Sequence, residues 1–154
     1  MTDFTLPWLQ LYFCLALVIL AAGYDVTRGR IPNWLTFPSM ALGVGLGVLT
    51  GGWNGLFASV AGFSLGAALL GVMYLTGGMG AGEVKVLAAI GALKGPIFVS
   101  YTFVFMGLVG GAFAIYFLAR RWRFVTHKGL RAAGSFPYGP AIALGCVVAV
   151  LVGL

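Results

Sequence analysis

Long apolar runs occupy most of this 154-residue chain and leave few folds open to it. The first run, residues 6–24, carries no charged side chain. At ~1.5 Å per residue, a helix of that length nearly spans a ~30 Å hydrocarbon layer. Hydrophobic residues make up 61% of the chain and charged residues 8%, a balance far from that of a soluble domain. Because a helix satisfies its own backbone hydrogen bonds in lipid, the sequence predicts an all-α integral membrane protein.

The apolar runs predict one domain, residues 1–154, built as a bundle of about six transmembrane helices. The expected helices cover residues 6–24, 34–49, 56–75, 84–93, 97–119 and 138–154. The fourth is too short to cross the hydrocarbon layer alone, so we expect it to rely on neighbouring helices, a water-filled cavity or flanking residues. Glycines spaced four residues apart predict close helix packing. These pairs are Gly43/Gly47, Gly62/Gly66, Gly91/Gly95 and Gly107/Gly111.

The basic residues fall between the apolar runs, where they indicate orientation. If the first helix runs from outside to inside, eight of the nine Lys and Arg residues face the cytoplasm and Lys94 alone faces outside. This is the positive-inside pattern. The same assignment places Asp25 and Glu83 at the cytoplasmic face and both termini outside. We interpret the net charge of +6 as setting topology and attracting the lipid bilayer, with no binding of nucleic acid.

Two of the three acidic residues lie where an apolar run meets a polar cluster. Asp25 ends the first run, and Glu83 opens the fourth. A carboxylate near lipid costs free energy, which favours a functional explanation. If the two carboxyls share a proton and a water molecule, they can act as base and acid in amide hydrolysis. The simpler alternatives are that Glu83 only caps its helix and that Asp25 is a solvated residue paired with Arg28 or Arg30.

The other reactive side chains predict less. Cys14 and Cys146 lie in separate apolar runs and are expected to be small apolar fillers, with no disulfide framework and no zinc site. His127 lies among basic residues and is expected to be a solvated loop residue. No metal-ligand spacing and no Ser-His pairing is present, so the sequence predicts no metal and no cofactor.

Four motifs, in this order along the chain, resemble those of the type IV prepilin peptidase family. They are Asp25 at the end of the first helix, Ile31-Pro32-Asn33, the run Gly80-Ala81-Gly82-Glu83-Val84-Lys85, and Pro137-Tyr138-Gly139-Pro140. The resemblance covers nearly the whole chain. It implies a polytopic aspartic endopeptidase of the bacterial inner membrane that removes the basic leader from type IV or Flp prepilins at the cytoplasmic face. It also implies that Asp25 and Glu83 are the catalytic residues.

The sequence departs from the longer members of that family in two ways. Their Cys-rich cytoplasmic domain, linked to N-methylation, has no counterpart here, so the chain resembles the short branch that serves tight-adherence (Flp) pili. The family motif reads GxGD, whereas this chain reads GAGE. That difference leaves open an impaired or silent homologue that binds or escorts pilins. A more remote alternative is a small transporter in which the two acids line a polar pathway.

Overall fold

The computed structural model describes residues 6–121 and 138–153, which form four helices. These are α1 (Leu6–Arg28), α2 (Asn33–Leu75), α3 (Ala81–Arg121) and α4 (Gly139–Leu151). The described part of the chain contains no strand. Three of the helices, α1 to α3, are long and apolar enough to cross a membrane. The chain is therefore an all-α, multi-pass membrane protein, as its apolar runs predict.

Each of the two longest helices is broken by one glycine. Gly52 in α2 has φ 56° and ψ −131°, and Gly95 in α3 has φ 85° and ψ −179°. Glycine adopts positive φ without the steric cost that other residues would meet. In α2 the halves 33–51 and 53–75 fold back on each other, since the Ser59 hydroxyl donates to the carbonyl of Gly43 at 3.4 Å. A single residue therefore reverses the chain.

Helix α3 reverses in the same way at Gly95. The backbone N–H of Tyr138 donates to Glu83 at 3.3 Å, and the ring of Tyr138 lies 3.6 Å from the position of a Cβ on Gly110. In a straight helix Glu83 and Gly110 would be ~40 Å apart. The halves 81–94 and 96–121 must therefore run back beside each other. Counted by halves, the four helices provide the six segments that the sequence predicts.

The fourth segment, 81–94, lies at the centre of the bundle. Its side chains from Val86 to Ile90 are almost completely buried, as are Ala92 and Leu93. Helix α2 packs along α3, and α4 packs against both α1 and α3. The short segment is thus surrounded by longer neighbours, one of the three arrangements expected for it.

The last segment is shorter than predicted. Helix α4 has 13 residues, about 20 Å at ~1.5 Å per residue, and ends at Leu151 rather than at the expected residue 154. Gly153 has φ 85°, and its N–H donates to the carbonyl of Val150 at 3.0 Å. A glycine with positive φ ends a helix in this way, and the hydropathy of the run does not show it.

The glycine pairs behave differently from one another. Gly62 and Gly91 face each other with their backbones in contact, and a Cβ on Gly66 would lie 2.6 Å from the carbonyl oxygen of Leu87. Close packing is therefore confirmed between α2 and α3. No described atom lies within 4 Å of a Cβ placed on Gly107 or Gly111. The described residues make no close packing at that pair, so its close packing stays a prediction.

Cys14 on α1 and Cys146 on α4 meet in the core, and their Sγ atoms are 3.7 Å apart. Both thiols are free and fully buried. They fill the apolar space between the two helices, as predicted. The sequence did not indicate that they would be neighbours.

This contact allows a direct test of how α1 and α4 pack. We expect a small membrane-permeable oxidant to convert the two thiols into one intramolecular disulfide. The two Sγ atoms are 3.7 Å apart, so they need to approach by less than ~2 Å to reach the length of a disulfide bond. Thiol labelling after denaturation should show both thiols lost together. In Cys146→Ala, the Cys14 thiol should still react with the label after the same oxidation. Loss of Cys14 labelling in that variant would contradict the pairing.

Candidate active site

Asp25 lies in the last turn of α1, and its side chain is only 8% exposed. The helix ends at Arg28, and the N–H of Gly29, at φ 61°, donates to the carbonyl of Asp25 at 2.8 Å. Arg28 extends over the ring of Tyr24, 5.0 Å from its centroid. The carboxylate of Asp25 instead accepts the backbone N–H of Gly139 at 2.8 Å. Asp25 is therefore not the solvated, arginine-paired residue of the simpler alternative.

Glu83 lies in the first turn of α3, and its side chain is 6% exposed. Its Oε2 accepts the N–H of Gly80 at 3.1 Å, while its own N–H donates to the carbonyl of Gly80 at 3.1 Å. This reciprocal pair resembles a capping box. Its Oε1 accepts the N–H of Tyr138 at 3.3 Å. One oxygen thus caps the helix, as the simpler alternative predicted, and the other reaches α4.

The start of α4 brings the two acids together. The first N–H groups of a helix have no partner within that helix and are free to bind anions. Tyr138 donates to Glu83, and the next residue, Gly139, donates to Asp25. Consecutive Cα atoms are ~3.8 Å apart, so the two carboxylates bind immediately neighbouring donors.

Gly139 is required by this approach. A Cβ at this position would lie 2.7 Å from both the Cβ and the Oδ2 of Asp25. No real side chain fits at that distance without moving α1 or α4. Pro140, the next residue, lies in the first turn of α4, where the missing N–H of proline costs nothing.

Both carboxylates line a cavity of about 480 Å³. Its wall also includes Arg30 and Lys85, so both signs of charge face the same space. The cavity lies at the end of the bundle where α1 ends and α3 begins. It has room for water molecules beside the acid pair.

Of the remaining motif residues, Ile31, Gly80, Gly82 and Lys85 line this cavity, and Pro32 and Asn33 lie at the start of α2. Lys85 donates to the side-chain oxygen of Asn33 at 2.8 Å and lies 5.3 Å from the ring centroid of Phe37. Asn33 is the first residue of α2, so this hydrogen bond joins the starts of α2 and α3. Pro32, with φ −73° and ψ 142°, is the extended residue from which α2 starts.

Neither glycine of the GAGE motif has a positive φ. A Cβ on Gly82 would lie 3.0 Å from the Cβ of buried Ile31, so Gly82 permits close packing, and Gly80 supplies an N–H donor. The positive φ before α3 belongs to Gly77, at 79°, which is not part of any of the four motifs. The position of Gly77 just after the apolar run of α2 could have indicated a turn there. Pro137 and His127 lie outside the described residues.

The arrangement is suited to acid–base chemistry on a peptide bond. Two buried carboxyls from distant parts of the sequence line one cavity and accept hydrogen bonds from neighbouring donors, so one can act as base and the other as acid toward a group bound there. Within the described part of the chain, no group of three or more His, Cys, Asp or Glu side chains could hold a metal ion.

Comparison with known proteins finds similarity to a peptidase family. The model of the type IV leader peptidase family matches residues 12–115, a range that includes both carboxylates. The prepilin leader peptidase/N-methyltransferase of Bacillus subtilis (strain 168) is 30% identical over 142 residues, which cover 90% of this chain and 54% of that protein. The chain therefore spans about half the length of this curated relative. No solved structure matches it.

Proposed function

Because this chain belongs to the type IV leader peptidase family, we propose that it is a membrane-embedded aspartic endopeptidase that removes the basic leader from type IV or Flp prepilins. The observation that carries the proposal is that Glu83 accepts the backbone N–H of Tyr138 and Asp25 accepts the neighbouring N–H of Gly139. We propose these two acids as the catalytic residues.

Hydrolysis of the leader would use the pair as one base and one acid. One carboxylate takes a proton from water, which attacks the carbonyl carbon of the scissile bond, and the other carboxyl protonates the departing nitrogen. The backbone donors of α4 hold both groups at fixed positions during these steps. The cavity of about 480 Å³ supplies room for the water and for the segment that is cut.

We further propose that the site faces the cytoplasm of the bacterial inner membrane and that both termini lie outside. The charges of the central segment support this orientation. Lys85 lines the cavity at one end of segment 81–94, whereas Lys94 lies at the other end. Arg30 also lies on the cavity side, in agreement with the positive-inside pattern.

Cleavage of a prepilin by the purified chain in proteoliposomes tests the function. Mass spectrometry of the products would show whether the leader is removed and at which bond. The matched blank is the double variant Asp25→Asn/Glu83→Gln, which keeps the size and most hydrogen-bonding capacity of both side chains. Cleavage by the parent and none by the blank is the expected result.

The escort alternative stays open because Glu83 replaces the aspartate of the family motif. An escort would retain the prepilin during purification of the parent and of the blank alike, and neither would cut it. In that outcome, cutting of the same prepilin by another member of the family would show that the substrate is competent. The binding role would then replace the peptidase role.

Glu83→Asp is expected to lower the cleavage rate, although it restores the residue of the family motif. The aspartate side chain is shorter by one carbon–carbon bond, ~1.5 Å, so it cannot keep bonds of 3.1 Å to Gly80 and 3.3 Å to Tyr138 together. Loss of one hydrogen bond to a charged group costs about 1.5–3 kcal/mol, or roughly 10- to 100-fold in rate. Initial rates of prepilin cleavage measure the effect. A faster variant would show that the parent is the impaired form.

A further inference from the structure

A second cavity, of about 240 Å³, is lined by residues of α2, α3 and the start of α4. Its wall is apolar and includes Met73, Met79, Phe103 and Met106. Three of the five methionines of the chain therefore line one small space. Methionine side chains are flexible and polarizable, and they line binding surfaces that accept varied apolar partners.

Two lining residues connect this apolar cavity with the candidate active site. Tyr138 lines it, and the N–H of the same residue donates to Glu83. Met79 also lines it and directly precedes Gly80, whose N–H donates to the other oxygen of Glu83. The carboxylate of Glu83 thus accepts one hydrogen bond from Gly80, which lines the larger cavity, and one from Tyr138, which lines the apolar cavity.

The outer edge of the apolar cavity is a face of α3 that no described residue covers. Gly107 and Gly111 both line the cavity and are exposed, and a Cβ on either would meet no described atom within 4 Å. Such a pair, four residues apart, lets another helix backbone approach closely in lipid. The space is open for a helix from outside the described fold.

We propose that this apolar cavity holds the beginning of the substrate's apolar membrane segment, together with the exposed face of α3 at Gly107 and Gly111, the glycine face. The polar leader lies in the larger cavity. A substrate that occupies both cavities would then place the boundary between its polar and apolar parts beside Glu83, whose carboxylate is hydrogen-bonded to a lining residue of each. The inference rests on the proposed function for the identity of the substrate. It adds the binding site of the substrate's apolar segment and the orientation of the substrate across the two cavities.

Two variants fill the glycine face without disturbing the described core. Gly107→Leu and Gly111→Leu place a side chain in open space, so the bundle should fold normally. We expect each to raise the KM for a full-length prepilin in proteoliposomes at least tenfold and to change kcat little. Gly45→Leu is the matched control, because Gly45 is also exposed and open but lies on α2, away from the cavity. It should keep the KM of the parent.

A crosslink tests the contact without relying on cleavage. Gly107→Cys is placed in a chain that also carries Cys14→Ala, Cys146→Ala and the blank substitutions Asp25→Asn/Glu83→Gln. A prepilin with one cysteine early in its apolar segment should form a disulfide with it under mild oxidation by copper phenanthroline, and Gly45→Cys in the same background should not.

The outcomes separate this inference from the proposed function. If the parent does not cut the prepilin but the crosslink forms, the peptidase role fails and the docking face stands. If the parent cuts the prepilin while KM is unchanged in both leucine variants and no crosslink forms, the docking face is wrong. A crosslink between two copies of this chain, in place of the prepilin, would also overturn it.

Discussion

Replacing Asp25 by asparagine, or Glu83 by glutamine, is expected to reduce prepilin cleavage by roughly 10²–10⁴-fold. An amide cannot take or give a proton at neutral pH, so each change removes one half of the acid–base pair. The asparagine oxygen can still accept from Gly139, and the glutamine oxygen from Tyr138, so the helices should stay in place. Initial rates in proteoliposomes measure the loss.

The chain offers its own control for these two variants. Asp3 is the only other acidic residue in the sequence, and Asp3→Asn changes the charge by the same amount. That variant should cleave like the parent. Equal losses in all three variants would point to net charge rather than to the pair. Retained cleavage in both Asp25→Asn and Glu83→Gln would remove the basis for an aspartic mechanism.

Gly139→Ala is expected to lower cleavage by at least about 10²-fold, the cost of misplacing reacting groups by about 1 Å. The added methyl group would lie 2.7 Å from the Cβ and the Oδ2 of Asp25. Either Asp25 or the start of α4 must then move, and the donor of Tyr138 moves with that helix start. Both carboxylates would be affected by a change that removes no polar group.

Gly23→Ala is the matched control for this effect. Gly23 lies in α1, two residues before Asp25, and a Cβ there would meet no described atom within 4 Å. Alanine favours helix over glycine by about 0.8–1.0 kcal/mol, so this variant should be at least as stable as the parent and equally active. If Gly139→Ala melts at the parent's temperature and cleaves at the parent's rate, α4 does not position the acids.

Much of the candidate site could be predicted because acidic side chains are rare in this sequence. Only three acids occur in the chain, and Asp25 and Glu83 were conspicuous at the ends of apolar runs. Hydropathy alone located all six segments, since the breaks at Gly52 and Gly95 fall where the apolar runs were divided. The motif before the last helix marked Tyr138 and Gly139, although not what they do.

The contacts between distant residues could not be predicted, because hydropathy does not determine which faces of helices meet. Asp25 is bound by a residue 114 positions away, and Cys14 meets a partner 132 positions away. Gly62 and Gly107 belong to pairs with the same spacing, yet Gly62 is buried against Gly91 and Gly107 is open. The second cavity arises from these pairings and has no motif of its own.

The single-residue reversals at Gly52 and Gly95 determine where this protein can accept extra sequence. Both lie at the end of the bundle opposite the acids, where the chain provides almost no loop. An epitope tag inserted there would need to separate two helices whose backbones pack in contact nearby. The cavity end, with longer connections between helices, is where insertions and evolutionary variation in length should be tolerated.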